Sequence, residues 1–521
     1  PMKKFLALLL ALLMVAGTLS FVACGGDNPD DGKKDPVVDP VDPGKDPGTD
    51  PIDPGTDPVD PGTDPVDPGD PVVPDKKYLD DLPEQMDFGG EVITFLVDYT
   101  DGESRFTLIA DEDNYNMGDA IEFGVYTRQH NLNERMNVVM EMVTDNDPGT
   151  RTKIMADSTS GTNEFNIVTP QMKQHAALAV QGYILNMARL PHIDLDKDYW
   201  NKVYSEKWGY KGTQFWATGD ACGSLLSLTI CMVVNEELFQ TYDPDVDLFA
   251  LVDAGEWTTE KCLELTQGCY VDRTGDGRTV DDTYGLKFQN QWQSTALLIS
   301  AGYEYTTQEK SKWVIDFDNQ RNISVFDAVN KMTWDNGGAQ CINEDDLTFT
   351  DGTCMMTTAG FDDIEGYRNL DFEFSVVPCP KMNAEDNYRS FTFTALPLLG
   401  CINTLPTEKY DMIGSVIECY ASMGRQHVTE GYYEIALRSK YMQNEGSYKA
   451  IDLVRKGIWT EFGYAWTGAL NQIDLFTTTT FLSRSNVTSA AQASEPGYQK
   501  LLDGVYMNLK KMADAEKAAG Y

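Results

Sequence analysis

The sequence predicts an α/β body of two lobes, and two observations carry that reading. From residue 91 onward, short apolar runs of strand type alternate with segments of helical spacing, the pattern of a largely parallel sheet flanked by helices. Residues 78–521 are also too many for one ordinary hydrophobic core.

The elements follow in order. A Gly89-Gly90 turn leads into Glu91-Val92-Ile93-Thr94-Phe95-Leu96-Val97, a buried first strand. Residues 118–136 carry Ile121, Val125, Leu132 and Met136 on one helical side. Val138 to Val143 alternates as a strand. Phe165-Asn166-Ile167-Val168-Thr169 is a short strand stopped by Pro170, and a helix starts at Ala176. Thr229 to Val234 is a further strand that hands over to a helix at Asn235. Thr258-Thr259-Glu260 caps the next helix. Strands are expected over 353–358 and 374–377, and helices over 413–423 and 427–437, separated at Gly424. A last amphipathic helix is expected over 498–518.

The first 77 residues are a different material. Lys3 and Lys4 precede an apolar run to Val22, the layout of a secretory signal over residues 1–24. The run ends in Phe21-Val22-Ala23-Cys24-Gly25-Gly26, which resembles the lipobox of bacterial lipoproteins, with Phe21 where Leu is usual. That resemblance implies a lipid on Cys24 and a body on the outer face of the cell membrane. An uncleaved anchor helix is the alternative reading of the run. Residues 25–77 form an Asp/Pro/Gly-rich tether, with Thr-Asp-Pro-(Ile/Val)-Asp-Pro-Gly three times from Thr49. Prolines block helix, and sparse apolar residues leave no core to build. Such a segment reaches roughly 40 Å as a coil and at most about 160 Å as polyproline II.

Charge excludes some partners. Of the net −41, about −31 falls on the body, a surface that repels nucleic acid and anionic lipid. Nine cysteines follow Cys24, an odd number scattered singly in apolar contexts, so most read as small buried residues. The four histidines, His130, His175, His192 and His427, sit in no metal or triad motif. No P-loop, HExxH or Gly-x-Ser-x-Gly occurs, and no catalytic residue is assigned.

A set of stretches then shares its order with a known family. They are Leu195-Asp196-Lys197-Asp198-Tyr199-Trp200-Asn201, Gly255-Glu256-Trp257-Thr258, Asp272-Arg273-Thr274-Gly275-Asp276-Gly277 with Tyr284-Gly285-Leu286, and Thr350-Asp351-Gly352-Thr353-Cys354-Met355-Met356. Pro378-Cys379-Pro380-Lys381 and Gly431-Tyr432-Tyr433-Glu434-Ile435-Ala436-Leu437 complete the set. In that order the chain resembles the sugar-type extracellular solute-binding proteins of ATP-driven (ABC) importers, the maltose-binding-protein-like class, over residues 78–515. The resemblance implies a two-lobe periplasmic-binding-protein-like fold of type II. Its mixed sheets would be flanked by helices and its hinge crossed more than once. Lobe 1 is then expected over 78–224 and 395–445, and lobe 2 over 225–394 and 446–521. The implied role is capture of a carbohydrate, an oligosaccharide, for delivery to ABC permease subunits in the membrane, without catalysis. A tethered glycoside hydrolase and a surface adhesin are the competing classes.

A neutral sugar needs aromatic faces and planar hydrogen-bonding groups. Gln289, Gln291 and Trp292 follow a strand and open a helix, a place where the family presents ligand contacts; core packing is the alternative for Trp292. Phe361 and Asp362 follow another strand, as platform and hydroxyl acceptor. Trp216 and Asp220 precede the hinge strand, where a turn role competes for Asp220. Gln171 and Lys173 follow Pro170, and Trp466 is a late aromatic candidate. Asp272, Thr274 and Asp276 have the spacing of the first half of a calcium loop, but Thr283 stands where the closing Glu belongs. Calcium is the sole cofactor considered, against a plain Gly-Asp turn.

Overall fold

The structure, a computed structural model, describes residues 77–99, 119–289, 292–310, 312–343, 349–433 and 444–521. Cys24, the tether to Lys76 and Gln291 lie outside the described residues. Residues from Val73 onward form one compact unit.

Two sheets organise that unit. The first uses β1 (Glu91–Asp98), α1 (Ala120–Met136), β2 (Val138–Asp145), α2 (Gly149–Ser160), β3 (Ile167–Thr169) and α3 (Met172–His175). Its order is β2-β1-β3, all parallel, with Glu91 opposite Val138 and Phe95 opposite Ile167. Parallel neighbours need crossovers, and α1 and α2 supply them. Asp119 starts α1 by accepting from the Ile121 and Glu122 amides, and Asn137 ends it in the left-handed conformation (φ 48°). Ile93, Phe95 and Val97 point into one hydrophobic cluster while Leu96 joins another, so β1 is covered on both faces.

The second sheet is built from β4 (Ile230–Asn235), β5 (Thr283–Gln289), then α4 (Trp292–Ser300), β6 (Ala339–Ile342), β7 (Cys354–Gly360), α5 (Phe361–Gly366) and β8 (Phe374–Val377). The order is β6-β5-β7-β4-β8, and the short strand Tyr270–Val271 adds to β5. β5 runs parallel to β6 and β7, while β4 runs antiparallel to β7 and β8. Isolated bridges tie the segment after Ser390 to earlier parts of the chain: Thr229 bridges Thr392, Ala217 bridges Leu399, and Val168 bridges Gly400.

Further helices pack around the sheets, among them α6 (Tyr410–Met423), α7 (Glu445–Lys456) and α8 (Val487–Ala519). The expected break at Gly424 is absent, since α6 runs on into a π-helical turn over Gly424–Thr429. Gly424 serves close approach instead: a Cβ there would sit 2.1 Å from the Asp220 carbonyl oxygen. The last helix starts 11 residues before its expected start and carries Pro496 inside it. Asn486 caps it through the Ser489 amide, and Pro496 followed by Gly497 hid that start in the sequence. Contacts from the chain's tail reach both sheets' surroundings: Trp208 Nε1 donates to the Ala465 carbonyl at 2.9 Å, and Lys312 pairs with Asp503 at 2.7 Å.

The N-terminal edge is pinned by a buried ion pair. Arg135 reaches Asp80 with two N–H groups at 2.7 and 2.9 Å, and neither side chain is exposed. All nine described cysteines are free, eight of them buried. Burial pushes the Cys341 thiol up to about 11 and the Cys379 thiol up to about 12. No helix among the described residues is long and apolar enough to cross a membrane.

Candidate functional site

Ligands of open α/β sheets sit beyond the carboxyl ends of the strands. Here β3 ends at Thr169 and β5 at Gln289, one in each sheet. The residues just past those ends, Lys173 and Trp292, line the same cavity of about 270 Å³. Phe391, Phe393, Gln472 and Asp474 supply other parts of its wall.

Each wall has a local cause. Trp292 opens α4, its body seated on the core and its ring 5.7 Å from Phe393 at 48°. Below it, Gln293 accepts from the Gln289 amide at 3.0 Å and donates to the Thr358 carbonyl at 3.0 Å, locking the end of β5 to β7. Lys173 lies 6.0 Å from the Phe393 ring centre. Its amide donates to the Thr394 carbonyl at 3.0 Å, tying α3 to the segment that carries the phenylalanines. Asp474 accepts from the Thr467 hydroxyl at 2.5 Å. Burial raises its pKa, and the Thr467 hydroxyl and Lys173 oppose that rise. Thr295 meets the hydroxyls of Thr477 and Thr478 at 3.0 and 2.8 Å on the same wall. Aromatic faces, an ammonium, a carboxylate and a half-exposed Leu475 therefore face one space. That set suits a ligand with both C–H faces and hydroxyls.

A second, larger cavity of about 550 Å³ lies around Asp220, Arg425, Asp452 and Arg455. It shares no lining residue with the first. Asp220 is held there in an ion pair with Arg425 at 3.2 Å, and burial pushes its carboxyl up to about 6 against that pull. Neither sheet ends a parallel strand in this cavity.

Of the candidates from the sequence, Lys173 and Trp292 are brought together, with Gln289 buried directly beneath. Gln171 is buried at the start of α3 and Asp362 partly buried in the first turn of α5. Asp220 belongs to the other cavity. Trp216, Phe361 and Trp466 are fully buried in the hydrophobic core. Trp216 packs on Gly400, where a Cβ would sit 2.8 Å from the ring, and Trp466 Nε1 donates to the Lys207 carbonyl at 2.8 Å. Asp272 accepts from the Gly275 and Gly277 amides at 2.6 and 3.2 Å, and Asp276 accepts from Thr274. All three contacts belong to a self-contained turn. Among the described residues, the carboxylates that converge are instead Asp316, Asp318 and Glu495. Phe391 and Phe393 went unmarked in the sequence, although Phe391-Thr392-Phe393-Thr394 alternates with period two and so puts both rings on one side.

A family model described as bacterial extracellular solute-binding protein matches residues 128–401. The chain belongs to that family. Solved structures agree on the fold. The cyclic α-maltosyl-1,6-maltose binding protein of Arthrobacter globiformis matches with TM-score 0.53 and 15% identity, over 80% of this chain and 99% of that one. The GacH receptor of Streptomyces glaucescens, solved unliganded and with acarbose, gives TM-score 0.51 and 14% identity over 80% and 99%. A family 1 extracellular solute-binding protein from Bifidobacterium longum subsp. infantis gives 0.51 and 13% over 79% and 99%. No curated protein matches the sequence. The two-lobe, maltose-binding-protein-like fold expected from the sequence is thus the fold of this solute-binding family member.

Proposed function

We propose that this solute-binding protein captures an oligosaccharide outside the cell and delivers it to the permease of an ABC importer. The observation that carries the reading is the cavity at the ends of β3 and β5, where Trp292 and Phe393 offer ring faces beside Lys173 and Asp474. The relatives of like fold support it, since their ligands include acarbose and, by name, cyclic α-maltosyl-1,6-maltose. Lobe 1 comprises residues 78–224 and 395–445 and lobe 2 residues 225–394 and 446–521, and hinged closure encloses the ligand. Catalysis is not part of the role. Glycoside hydrolysis needs two carboxyl groups across the scissile bond. The cavity's described lining offers one, Asp474.

Cys24 carries the lipid that holds the protein at the membrane, and the Asp-Pro tether gives it reach. Replacing Cys24 with Ser should move the protein from the membrane fraction to the medium; retention at the membrane would refute the anchor. The capture role is tested by a thermal-shift screen with linear and cyclic maltooligosaccharides, acarbose, xylo- and cello-oligosaccharides. Binding at a hundredfold excess over Kd raises stability by about 2.7 kcal/mol. A clear rise in Tm with the sugar recovered intact supports capture. Release of shorter sugars would overturn it in favour of an enzyme.

A further inference from the structure

His175 is fully buried in α3, two residues after Lys173. Its ring lies among the carboxyl ends of the three parallel strands of the first sheet. Nδ1 is 3.2 Å from the Gln171 carbonyl oxygen, and Nε2, which makes no hydrogen bond in this geometry, is 3.3 Å from an oxygen of Asp147, just past β2. Asp98, the last residue of β1, stands 3.9 Å from Nδ1. A carbonyl and a carboxylate only accept hydrogen bonds. The neutral imidazole carries a single N–H, so it serves one of these acceptors and turns a lone pair toward the other. The imidazolium has an N–H for each.

That ring is wired to the ligand cavity. Gln171, whose carbonyl it bonds, begins the turn that carries Lys173. The next two amides donate to the far wall, Met172 to the Leu396 carbonyl at 2.9 Å and Lys173 to the Thr394 carbonyl at 3.0 Å. Thr394 lines the cavity itself.

We propose that His175 is a positioning residue for ligand capture, a proton-operated latch that fixes the β3–α3 turn, and with it Lys173, when its ring is doubly protonated. The inference rests on the carbohydrate-capture reading of the cavity. The charged groups facing the ring among the described residues are Asp98 on β1, Asp147 after β2 and Arg151 on α2. Burial holds the ring's pKa below its ordinary 6.5; the two aspartates and the Gln171 carbonyl oppose this, and Arg151 adds to it. The latch therefore closes on the acid side of neutrality. Binding that favours the ordered turn must favour the proton, and the proton must favour binding by the same factor.

The experiment is isothermal titration of the full body with maltotetraose between pH 7.5 and 5, on the native protein and on His175→Gln. The glutamine keeps one donor but does not titrate in this range. Affinity should rise about three- to tenfold toward pH 5 in the native protein, corresponding to a half to one unit of pKa change on binding. It should be flat in the variant. Equal pH slopes in both proteins overturn the proposal. So does a His175 ring carbon signal, followed by NMR on labelled histidine, that titrates at the same pH with and without sugar. Absence of maltotetraose binding at every pH counts against the carbohydrate reading instead. The latch is then decided on the free protein, where the Lys173 amide signal must titrate together with the His175 ring. A Lys173 amide that ignores that titration overturns it.

Discussion

Replacing Trp292 with Ala removes the ring on which the proposed sugar face rests. A tryptophan buries roughly 150–250 Å² when covered. Trp292 is half-buried, its body seated on the core beside Phe393, so roughly a quarter to a third of that area, on the order of 60 Å², is left for a ligand. At ~25 cal/mol per Å² that contact is worth about 1.5 kcal/mol. Kd should therefore rise about tenfold. Trp292→Phe, which keeps a flat face, should lose about a third of that effect by the same area argument. Titration calorimetry at 25 °C with the tightest sugar from the screen measures both, and circular dichroism confirms that each variant is folded at that temperature. An alanine variant within twofold of native affinity would refute the reasoning and make Trp292 a core residue alone.

Two further predictions concern stability. Glu461 is buried, accepts from the Gly463 and Tyr464 amides at 2.9 and 2.6 Å, and burial pushes its carboxyl up to about 7 from an ordinary 4.5. Between those two values the folded protein holds a proton that the unfolded chain has lost, so stability must fall as pH rises through that window, by about 3 kcal/mol in all. Urea unfolding at pH 5, 6 and 7.5 should show that slope in the native protein and a flatter one in Glu461→Gln; parallel curves contradict it. Arg135→Ala leaves Asp80 buried without its two guanidinium donors and should cost about 3–5 kcal/mol. A loss below about 1 kcal/mol in the same assay would mean that the pair contributes little at the N-terminal edge.

Much of the fold was legible because its strands are locally unambiguous. Ile93 to Val97 and Phe374 to Val377 are short, β-rich and bounded by turns, and each forms a strand where it was expected. Helix ends were less legible. Gly424 looks like a stop in one dimension, but its missing Cβ makes room for the Asp220 backbone, a neighbour 204 positions away. Pro496 likewise suggests a start, yet packing carries α8 through it. At the site, position after a strand end was readable, and it picked out Lys173 and Trp292. The direction of a ring was not. Phe361 follows β7 as Trp292 follows β5, but Phe361 turns into the cluster with Ile364 and Tyr432, while Trp292 lines the cavity. Which way each turns depends on helices brought in from distant parts of the chain. Phe391 and Phe393 line the cavity only because the segment after Ser390 runs back beside α4.

A crystal structure of the complex with the tightest-binding oligosaccharide separates the Trp292 cavity from the others, the Asp220 cavity among them. The expected complex has a sugar ring against Trp292 and Phe393, with hydroxyls within hydrogen-bonding distance of Lys173 and Asp474. A sugar lodged instead between Asp220, Arg425 and Arg455, with the Trp292 cavity empty, would contradict it.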